Sequence, residues 1–507
     1  MSVVRNRIFR NAYRDSVELM RIAAEIEQMS GISRAGLLMA TPANLAILSE
    51  AGLADGLDPT AGPNDMVAAL SAADPASAES ALERVSALMR AAEPEASGEG
   101  QRFVPTTLGE SVADLPGANL ALISTPGPYA TAEAMKALKR GMHVFLFSDN
   151  VPVEDEIELK QMGRRKGLLV MGPDCGTAII DGIPLGFANA VRRGTVGLVG
   201  ASGTGLQQVT CLLDAFGAGV SQAIGVGGRD LHQEVGGAMM LAALERLSAD
   251  PGTAVVVLIS KPPASEVASV VLRAAAASSK PVVVNFLGGD PDAIRAAGAH
   301  PATTFEEAAR VAARLATGAE PEALADDEAE PMARAAAAAL GSGQTRIAGI
   351  YSGGSLASEA KVILAELLGD AAREHHIIDL GDDEYTVGRP HPMIDPRLRS
   401  EKIEEAGRDP AIGVLLLDIV LGYASHPDPA GALVPAIEAA RSAAESDGRG
   451  LAVVASLCGT RGDPQGFDRQ RAALVDGGAL VAASNARAAR LAGLIALEIS
   501  RREVTSR

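Results

Sequence analysis

A short apolar run at Val196 breaks into a loop rich in glycine, serine and threonine, after which the chain resumes as a helix-like segment. The stretch reads Val196-Gly-Leu-Val-Gly-Ala-Ser-Gly-Thr-Gly205-Leu-Gln-Gln. In parallel-sheet proteins, a strand, loop and helix in this order present the unpaired amides of the helix amino end to an anion. Glycines let the anion approach those amides closely. The stretch therefore predicts a buried parallel strand followed by a loop that binds a small anion.

A second segment of the same design, Ile347-Ala-Gly-Ile-Tyr-Ser352-Gly-Gly-Ser355, lies in the last third of the chain. Either loop alone also fits an ordinary tight turn that needs glycine for its backbone. Two such loops, each directly after an apolar strand, favour phosphate or acyl-phosphate chemistry over a single nucleotide site. The predicted phosphate- and substrate-binding residues of these loops are Ser202, Gly203, Thr204, Gly205, Ser352, Gly353, Gly354 and Ser355.

Composition excludes several classes of protein. The chain of 507 residues is too long for one core, and a prior of about 150 residues per domain predicts about three domains. A net charge of −18 argues against wrapping of nucleic acid, although main-chain amides can still bind a small anion. The chain has no secretory signal pattern and no apolar run long enough to span a membrane, so we expect a cytoplasmic protein.

Apolar strand-like runs alternate with alanine-rich helical segments, which is typical of open parallel sheets of the doubly wound class. We predict units over 1–192, 193–317 and 344–507, with an acidic, proline-bearing linker at 318–343. The expected strands are Gly36–Thr41, Ala118–Ser124, His143–Ser148, Gly167–Gly172, Gly194–Val199, Ala223–Gly227, Ala254–Ser260, Pro281–Phe286, Arg346–Tyr351, His376–Leu380, Gly413–Asp418 and Leu451–Ser456.

Charged loops follow several of these strands, where ligands bind in parallel-sheet proteins. Arg229, in the glycine-rich segment 225–230, could clamp a carboxylate or phosphate, or could lie in a solvated loop. His391 lies in a proline-rich loop with Arg389 and Arg397, and the three side chains could converge on an anion. We predict Arg229 and His391 as catalytic residues.

Other loops leave two interpretations open. Cys175, in Gly172-Pro-Asp-Cys175-Gly-Thr177, is either an acidified nucleophile near a helix start or a small core residue. The acidic segment 381–384 could hold a divalent cation, but a plain acidic turn fits equally well, and we assign no metal site. Comparable loops contain His232, Asp418, His426, Thr460 and Arg461.

Several specific motifs resemble the FdrA family, and this resemblance covers most of the chain. They are Thr41-Pro-Ala-Asn44, Phe147-Ser-Asp-Asn150-Val, Glu154-Asp-Glu-Ile-Glu-Leu-Lys160, the segment 167–177, the segment 200–205, the segment 225–230 and Ser260-Lys-Pro-Pro263. FdrA proteins are similar to succinyl-CoA synthetase. The resemblance implies an α/β fold with a CoA-binding Rossmann-like domain over 1–192 and a flavodoxin-like domain over 193–317, as in the synthetase alpha subunit. It implies a second flavodoxin-like domain over 344–507, like the carboxy-terminal domain of the beta subunit.

The resemblance also implies roles for single residues. In such synthetases, helices that begin at loops like 202–205 and 352–355 point at one shared phosphate site. The segment around Cys175 resembles one near the CoA thiol, so Cys175 joins the predicted substrate-binding residues. The phosphorylated histidine of synthetase alpha subunits lies in a Gly-His-Ala-Gly-Ala loop, which the segment 285–301 lacks although it contains His300. No stretch is left for an ATP-grasp domain either, so we expect no phosphohistidine relay.

Some FdrA-family members are associated with purine-ring catabolism, as one subunit of an oxamate carbamoyltransferase that turns oxalurate and phosphate into oxamate and carbamoyl phosphate. The resemblance implies such a subunit in allantoin breakdown, binding a small anionic substrate, phosphate, and partner subunits or further copies of itself. Two alternatives stay open: an NDP-forming acyl-CoA synthetase-like ligase, and a non-catalytic CoA-binding subunit. The sequence does not fix the cofactor, and CoA and Mg²⁺ are the two candidates.

Overall fold

Residues 1–104 and 386–390 form one unit of the structure, and residues 105–385 and 391–507 form a second, larger unit. The computed structural model describes residues 3–12, 14, 16–41, 44–45, 48–49, 51–91, 105, 107–324, 329–341, 343–386 and 390–505. No helix in this part of the chain is long and apolar enough to cross a bilayer.

The first unit is built on an antiparallel sheet of three strands. Its elements are β1 (Val3–Phe9), α1 (Ser16–Glu27), β2 (Ile32–Met39), β3 (Met66–Ala72) and α2 (Pro75–Ala91). The strand β3 lies between β1 and β2 and is antiparallel to both. Leu19 and Ile22 of α1 and Leu82 of α2 are buried in the core that the two helices form with the sheet.

This unit differs from the predicted Rossmann-like domain over 1–192. The expected strand at Gly36–Thr41 exists as β2, but it pairs antiparallel in a unit of its own. The sequence of β3 is Met-Val-Ala-Ala-Leu-Ser-Ala, and alanine is depleted in strands, so this run carries no strand signal. Because β3 is hard to recognise, β2 reads as the first strand of a parallel sheet.

The larger unit begins with a small parallel sheet and continues into a sheet of seven strands. The small sheet has the order β4-β5-β6. Its elements are α3 (Leu108–Asp114), β4 (Leu120–Ile123), α4 (Gly127–Lys139), β5 (His143–Leu146), α5 (Val153–Lys166) and β6 (Val170–Met171). The elements of the seven-stranded sheet are β7 (Thr177–Ile180), β8 (Ile183–Gly186), β9 (Arg193–Ala201), α6 (Gly203–Ala215), β10 (Val220–Gly225), α7 (Ala238–Ala249), β11 (Val255–Ser260), α8 (Ser265–Ala276), β12 (Val282–Phe286), α9 (Pro291–Ala296), β13 (His300–Pro301) and α10 (Phe305–Thr317).

A five-stranded sheet completes the larger unit. Its elements are α11 (Ala329–Ala338), β14 (Arg346–Tyr351), α12 (Gly354–Leu368), a 3-10 helix (Gly369–Glu374), β15 (His376–Asp379), α13 (Asp383–Thr386), α14 (Arg397–Arg408), β16 (Ile412–Val420), α15 (Pro429–Ser446), β17 (Ala452–Cys458), α16 (Phe467–Asp476), β18 (Ala479–Ala482) and α17 (Asn485–Thr505). All four strand pairs of this sheet are parallel, which confirms the predicted α/β class.

The two larger sheets repeat one strand order. The last sheet runs β15-β14-β16-β17-β18, and the parallel part of the other runs β10-β9-β11-β12-β13, with the hairpin β7–β8 added antiparallel beyond β10. Both follow the flavodoxin-like order 2-1-3-4-5, in which ligands bind outside the carboxyl end of the first strand. The strands that occupy this position are β9 and β14. The two glycine-rich loops therefore follow the two strands at which the fold favours a ligand.

Helices from both sheets share one core. Phe305 of α10, Leu356 of α12 and Ile495 of α17 belong to a single buried cluster. The predicted linker at 318–343 contains α11, whose Ala333 and Ala337 belong to the same cluster. Alanines four residues apart lie on one face of a helix, and here that face is buried. The segment is therefore in part a core helix.

The buried carboxyl group of Glu359, on α12, joins three helices of this core. Its Oε1 accepts a hydrogen bond from the amide of Phe305 at 2.7 Å, and its Oε2 accepts one from Nδ2 of Asn485 at 2.8 Å. Burial raises the pKa of Glu359 to about 7, although both hydrogen bonds lower it. The folded protein therefore holds a proton on this group more tightly than the unfolded chain does.

The substitution Glu359→Gln should remove this group's pH dependence. In the wild type, the contribution of Glu359 to stability is complete below its unfolded pKa of about 4.3. It is lost as the pH rises through about 7. The urea midpoint of the wild type should therefore fall between about pH 5 and about pH 8 by more than that of the variant. Glu366→Gln, an exposed change on the same helix, is the control. An equal fall of the urea midpoint in the wild type and both variants would contradict the assignment of this pH dependence to Glu359.

Candidate functional site

The loops that follow β9 and β14 touch each other. A Cβ built on Gly353 would lie 2.8 Å from Cγ2 and 2.9 Å from Oγ1 of Thr204, closer than a real side chain allows. Glycine at position 353 is thus what lets the two loops meet. The amino ends of α6 and α12 come together here, one from each sheet.

Buried polar contacts hold the two sheets in this arrangement. Gln207, on the second turn of α6, donates from Nε2 to the carbonyl of Leu421, which follows β16, at 3.1 Å. Asn189 donates from Nδ2 to Asp463 Oδ2 at 2.8 Å. Thr460, which the sequence placed near the site, donates from its hydroxyl to the carbonyl of Ala190 at 2.6 Å. These side chains fix the positions of the loops rather than the position of a ligand.

The loop at Ser202–Gly205 offers hydrogen-bond donors that have nothing to bind. Ser202 is only 4% exposed, and neither its Oγ nor Oγ1 of Thr204 has a hydrogen-bond partner among the described residues. The same holds for Oγ1 of Thr177 on β7, which lies 3.8 Å from the point a Cβ on Gly203 would occupy. The Ser202 side chain does not cap α6, and the first amides of a helix have no partner within it. Buried donors that have no partner within the protein are typical of a site that binds a ligand.

The loop at Ser352–Ser355 is different, because a carboxylate of the protein already occupies it. Asp418, on β16, accepts from the amides of Ser352 and Gly353 at 2.8 Å each and from Ser352 Oγ at 3.1 Å. Arg399 donates from Nη2 to the same carboxylate at 2.6 Å, and both charged groups are buried. Two of the predicted phosphate-binding residues, Ser352 and Gly353, thus donate their amides to Asp418.

Asp379 and Lys261 lie beside the third residue of that loop. The Asp379 carboxylate occupies the space that a Cβ on Gly354 would take, and Lys261 Nζ lies 3.0 Å from the same point. Oδ1 of Asp379 also accepts from the amide of Gly381 at 2.9 Å. Burial raises the pKa of Asp379, and the nearby Lys261 opposes that rise. The meeting point of the loops thus combines a lysine with a carboxyl group that binds its proton more tightly than usual.

His391, predicted to be catalytic, lies next to this cluster as a neutral donor. Its Nδ1 accepts from the amide of Met393 at 3.2 Å, and its Nε2 lies 2.7 Å from the point a Cβ on Gly381 would occupy. The imidazole ring lies 5.3 Å from the ring of Phe187. Burial lowers the pKa of His391 to about 4. At neutral pH the proton is therefore on Nε2, and His391 can donate a hydrogen bond but is a poor base.

Arg229, the other residue predicted as catalytic, is held by α5 and the loop before it. Its Nε pairs with Glu156 Oε2 at 2.9 Å, and its Nη2 donates to the carbonyl of Val151 at 2.8 Å. Glu156 also pairs with the buried Lys160 at 2.7 Å, and Lys160 pairs with Asp230 at 2.8 Å. These contacts tie Arg229 to a buried charge network. Burial raises the pKa of Asp174 to about 7, and Lys261 and Arg229 both oppose that rise, so Arg229 lies near the same acid as the lysine at the loops.

Cys175 is a core residue. It is 2% exposed, its thiol donates to the carbonyl of Thr177 at 3.6 Å, and burial raises its pKa to about 12. Because the thiolate is the nucleophilic form, Cys175 is inert near neutral pH. A Cβ on Gly225 would lie 2.6 Å from its Sγ, so the thiol packs against β10. This placement corrects the substrate-binding role expected for Cys175.

The remaining predicted residues lie elsewhere. Arg397 pairs with Asp395 at 2.6 Å, and the exposed Arg461 pairs with Asp468 at 3.3 Å. His300 is on the edge strand β13, paired in register with Val283. Arg389 lies outside the described residues. Within the part of the chain that the structure describes, no group of three or more histidine, cysteine, aspartate or glutamate side chains could hold a metal ion.

Sequence reasoning missed Thr177, Lys261, Asp379 and the pair of Asp418 with Arg399. The signal for Asp418 is visible in retrospect, because it is the one charge in Ile412–Val420, a strand whose nine residues are all buried. A charge in such a strand needs a partner and is seldom accidental. The other residues come to the site from separate elements, and their approach depends on the tertiary structure.

Three family models match parts of the chain. A CoA-ligase model matches residues 350–495, a CoA binding domain model matches 191–288, and the AllF, heavy metal-associated domain model matches 1–105. The CoA-binding match lies on the seven-stranded sheet, whereas the sequence analysis expected CoA binding within 1–192. Residues 1–105 contain neither cysteine nor histidine, the usual ligands of soft metals, so this segment does not fit a heavy-metal site and we derive no step from one.

Related proteins extend the likeness. The ADP-forming succinate–CoA ligase subunit alpha of Methanothermobacter thermautotrophicus is 32% identical over 168 residues, which are 32% of this chain and 56% of that subunit. The chain thus matches about half the length of that subunit. Among solved structures, the ATP citrate lyase of Methanothrix soehngenii in complex with citrate and coenzyme A has a TM-score of 0.38 at 14% identity, over 79% of this chain and 86% of that one.

The Escherichia coli (strain K12) protein YahF is similar over almost the whole chain. The two are 39% identical over 493 residues, covering 94% of this chain and 95% of YahF. The chain therefore belongs to the family of YahF, and it is succinate–CoA ligase alpha-like, with CoA-binding and CoA-ligase domains.

Proposed function

We propose that this protein is an FdrA-type enzyme subunit that transfers a carbamoyl or acyl group to or from phosphate. The reaction we put first is the conversion of oxalurate and phosphate into oxamate and carbamoyl phosphate, together with partner subunits. The observation that supports the proposal most is the set of unpartnered donors at Ser202–Gly205 and Thr177. The match of residues 1–105 to an AllF domain supports the link to allantoin breakdown.

The donors at this loop suit a phosphate that must act as a nucleophile. The amides of Gly203, Thr204 and Gly205 and the hydroxyls of Ser202, Thr204 and Thr177 would hold its oxygens and replace its water. Lys261 would offset its negative charge. Fixing and desolvating the phosphate in this way removes entropy and solvent costs from the reaction barrier.

The proposed reaction breaks one bond and forms one. A phosphate oxygen attacks the ureido carbonyl carbon of oxalurate, and the bond from that carbon to the oxamate nitrogen breaks. The departing nitrogen takes one proton, and the phosphate gives one up, so charge and atoms balance. Asp379, whose pKa burial raises, would carry the proton, and the neutral His391 would donate a hydrogen bond to the substrate.

A CoA-dependent ligase is the second candidate. The matches to CoA-binding and CoA-ligase models favour it, and the donors of Ser202–Gly205 fit a phosphoryl group of coenzyme A as well as free phosphate. When bound, coenzyme A would supply a thiol that accepts the acyl group. A non-catalytic CoA-binding subunit is the third candidate, and it would bind CoA without turnover.

One assay separates these candidates. Carbamoyl phosphate is measured from oxalurate plus phosphate, with the protein alone and with candidate partner subunits, and acyl-CoA is measured in parallel from CoA, ATP and carboxylic acids. We expect carbamoyl phosphate in at least one mixture. Its absence from all of them contradicts the transferase, acyl-CoA formation favours the ligase, and stabilisation by CoA without any product favours the binding subunit.

The substitution Ser202→Ala should weaken phosphate binding by about ten- to a hundredfold, because a hydrogen bond to a charged group contributes about 1.5–3 kcal/mol. The readouts are the KM for phosphate and the thermal stabilisation that phosphate provides. Ser269→Ala, which removes a hydroxyl bonded within its own helix to Ser265, is the matched control and should behave as wild type. Equal phosphate binding by both variants would remove Ser202 from the site.

The substitution Gly353→Ala tests the contact between the loops. The new methyl group would press on Thr204 and Asp418, so the unfolding free energy should fall by about 1–3 kcal/mol. Stabilisation by phosphate should fall several-fold at the same time, because Thr204 moves. The control is Gly117→Ala, where the added methyl group meets nothing within 4 Å. A Gly353→Ala variant that binds phosphate like the wild type would show that the contact is irrelevant to binding.

A further inference from the structure

We propose a second ligand site in the larger unit, a cavity of about 540 Å³ that takes a small amphipathic molecule with an oxyanion head, either a carboxylate or a phosphate. The cavity lies between the small parallel sheet β4-β5-β6 and the seven-stranded sheet. It is separate from the meeting point of the glycine loops, so the inference does not depend on the proposed function.

The position of the cavity sets it apart from the loop site. Its lining includes Asn119 and Leu120 at the start of β4, His143 at the start of β5 and Leu169 just before β6. These are the amino ends of parallel strands, whereas the two glycine loops follow the carboxyl ends of β9 and β14. None of the residues that line the cavity belongs to either glycine loop.

One side of the cavity is apolar. Leu169, Met171, Ile224 and Leu247 line it, and all four are otherwise buried, with exposed fractions of 7% or less. The volume falls within the range of about 300–1,000 Å³ that is usual for small-molecule sites. An apolar ligand body of several carbon atoms would pack against these side chains.

The polar side of the cavity carries donors suited to an anion. Arg246, in the last turn of α7, lines the cavity and donates a hydrogen bond from one guanidinium nitrogen to the carbonyl of Gly167. Arg246 is exposed, and no described carboxylate forms an ion pair with it, so its guanidinium group is free to bind an anion at the mouth of the cavity. His143 lines the same side, and its Nδ1 accepts from the amide of Leu169 at 2.9 Å.

The remaining nitrogen of His143 is a donor. Because Nδ1 is an acceptor, the proton of the neutral ring is on Nε2. Burial and the neighbouring Arg246 lower the pKa of His143, which keeps the ring neutral at pH 7. An arginine without a counter-ion beside an N–H donor selects an oxyanion over a cation.

The one acidic side chain in the lining does not cancel this preference. Asp250 accepts from the amide of Gly252 at 3.0 Å and from the hydroxyl of Thr253 at 2.7 Å, so each of its oxygens is bound in its own turn. The Lys280 ammonium, which donates to the carbonyl of Leu247 at 2.7 Å, lies close enough to lower the pKa of Asp250. Among the described residues that line the cavity, Arg246 is the charged side chain that no carboxylate or turn hydrogen bond compensates.

Calorimetric titration of the full chain with octanoate, octyl phosphate and octylamine tests the site. We expect octanoate or octyl phosphate to bind and octylamine not to bind, and the tighter of the two anions identifies the head group. Arg246→Gln should weaken that binding about tenfold, which corresponds to about 1.4 kcal/mol. Ala249→Trp, at an exposed position of the lining, should fill the cavity and abolish binding.

The control is Arg273→Gln, an exposed arginine on α8 outside the lining, which should bind the anion like the wild type. Equal binding of octylamine and the anions, wild-type binding by Arg246→Gln or by Ala249→Trp, or no binding of any probe would each overturn the proposal. Ala249→Trp keeps the test valid if Arg246→Gln fails to fold. Because the readout is binding, a failure here leaves the proposed reaction untouched.

Discussion

The buried pair of Asp418 and Arg399 decides which of the two glycine loops can receive a ligand. Removing two charges from water is costly, and such a pair persists only where further hydrogen bonds satisfy it. Here the carboxylate accepts from two amides and a hydroxyl, while Arg399 also donates to the carbonyl of Ile350 at 3.0 Å. A carboxylate at the amino end of α12 is further favoured by the helix dipole. The pair therefore fastens β14, β16 and α14 together and occupies the amides of Ser352 and Gly353, whereas the hydroxyls of Ser202 and Thr204 have no partner among the described residues.

The repeated strand order makes the difference between the two loops easy to locate. In the seven-stranded sheet, Ala201 at the end of β9 is in register with Ser260 of β11. In the last sheet, the position one step past the pair of Ile350 and Leu417 is that of Asp418. Ser260 and Asp418 thus occupy equivalent places beside the two loops. The first sheet has a neutral serine there, followed by Lys261, and the second has a carboxylate that pairs with Arg399. This difference is the reason that we propose an anion site at the first loop and not at the second.

How far the sequence predicts this protein depends on the range of the interaction involved. The buried parallel strands and both glycine loops are predicted because apolar runs and glycine turns are local patterns. The antiparallel first unit is missed because β3 is rich in alanine. The surroundings of Arg229 and Cys175 are not predictable from the sequence, because Glu156, Val151 and the wall of β10 reach them only in the folded chain.

The phosphate binding that we propose would have to overcome the repulsion of a chain with a net charge of −18. Asp379 and Asp418 both lie at the meeting point of the loops, and two ionised carboxylates there would repel the ligand. The structure offsets this repulsion in two ways. Arg399 neutralises Asp418, and burial raises the pKa of Asp379, which favours its uncharged form. The remaining donors are amides and hydroxyls, whose hydrogen bonds to an anion need no side-chain charge, and Lys261 supplies the one cation that the ligand would meet directly.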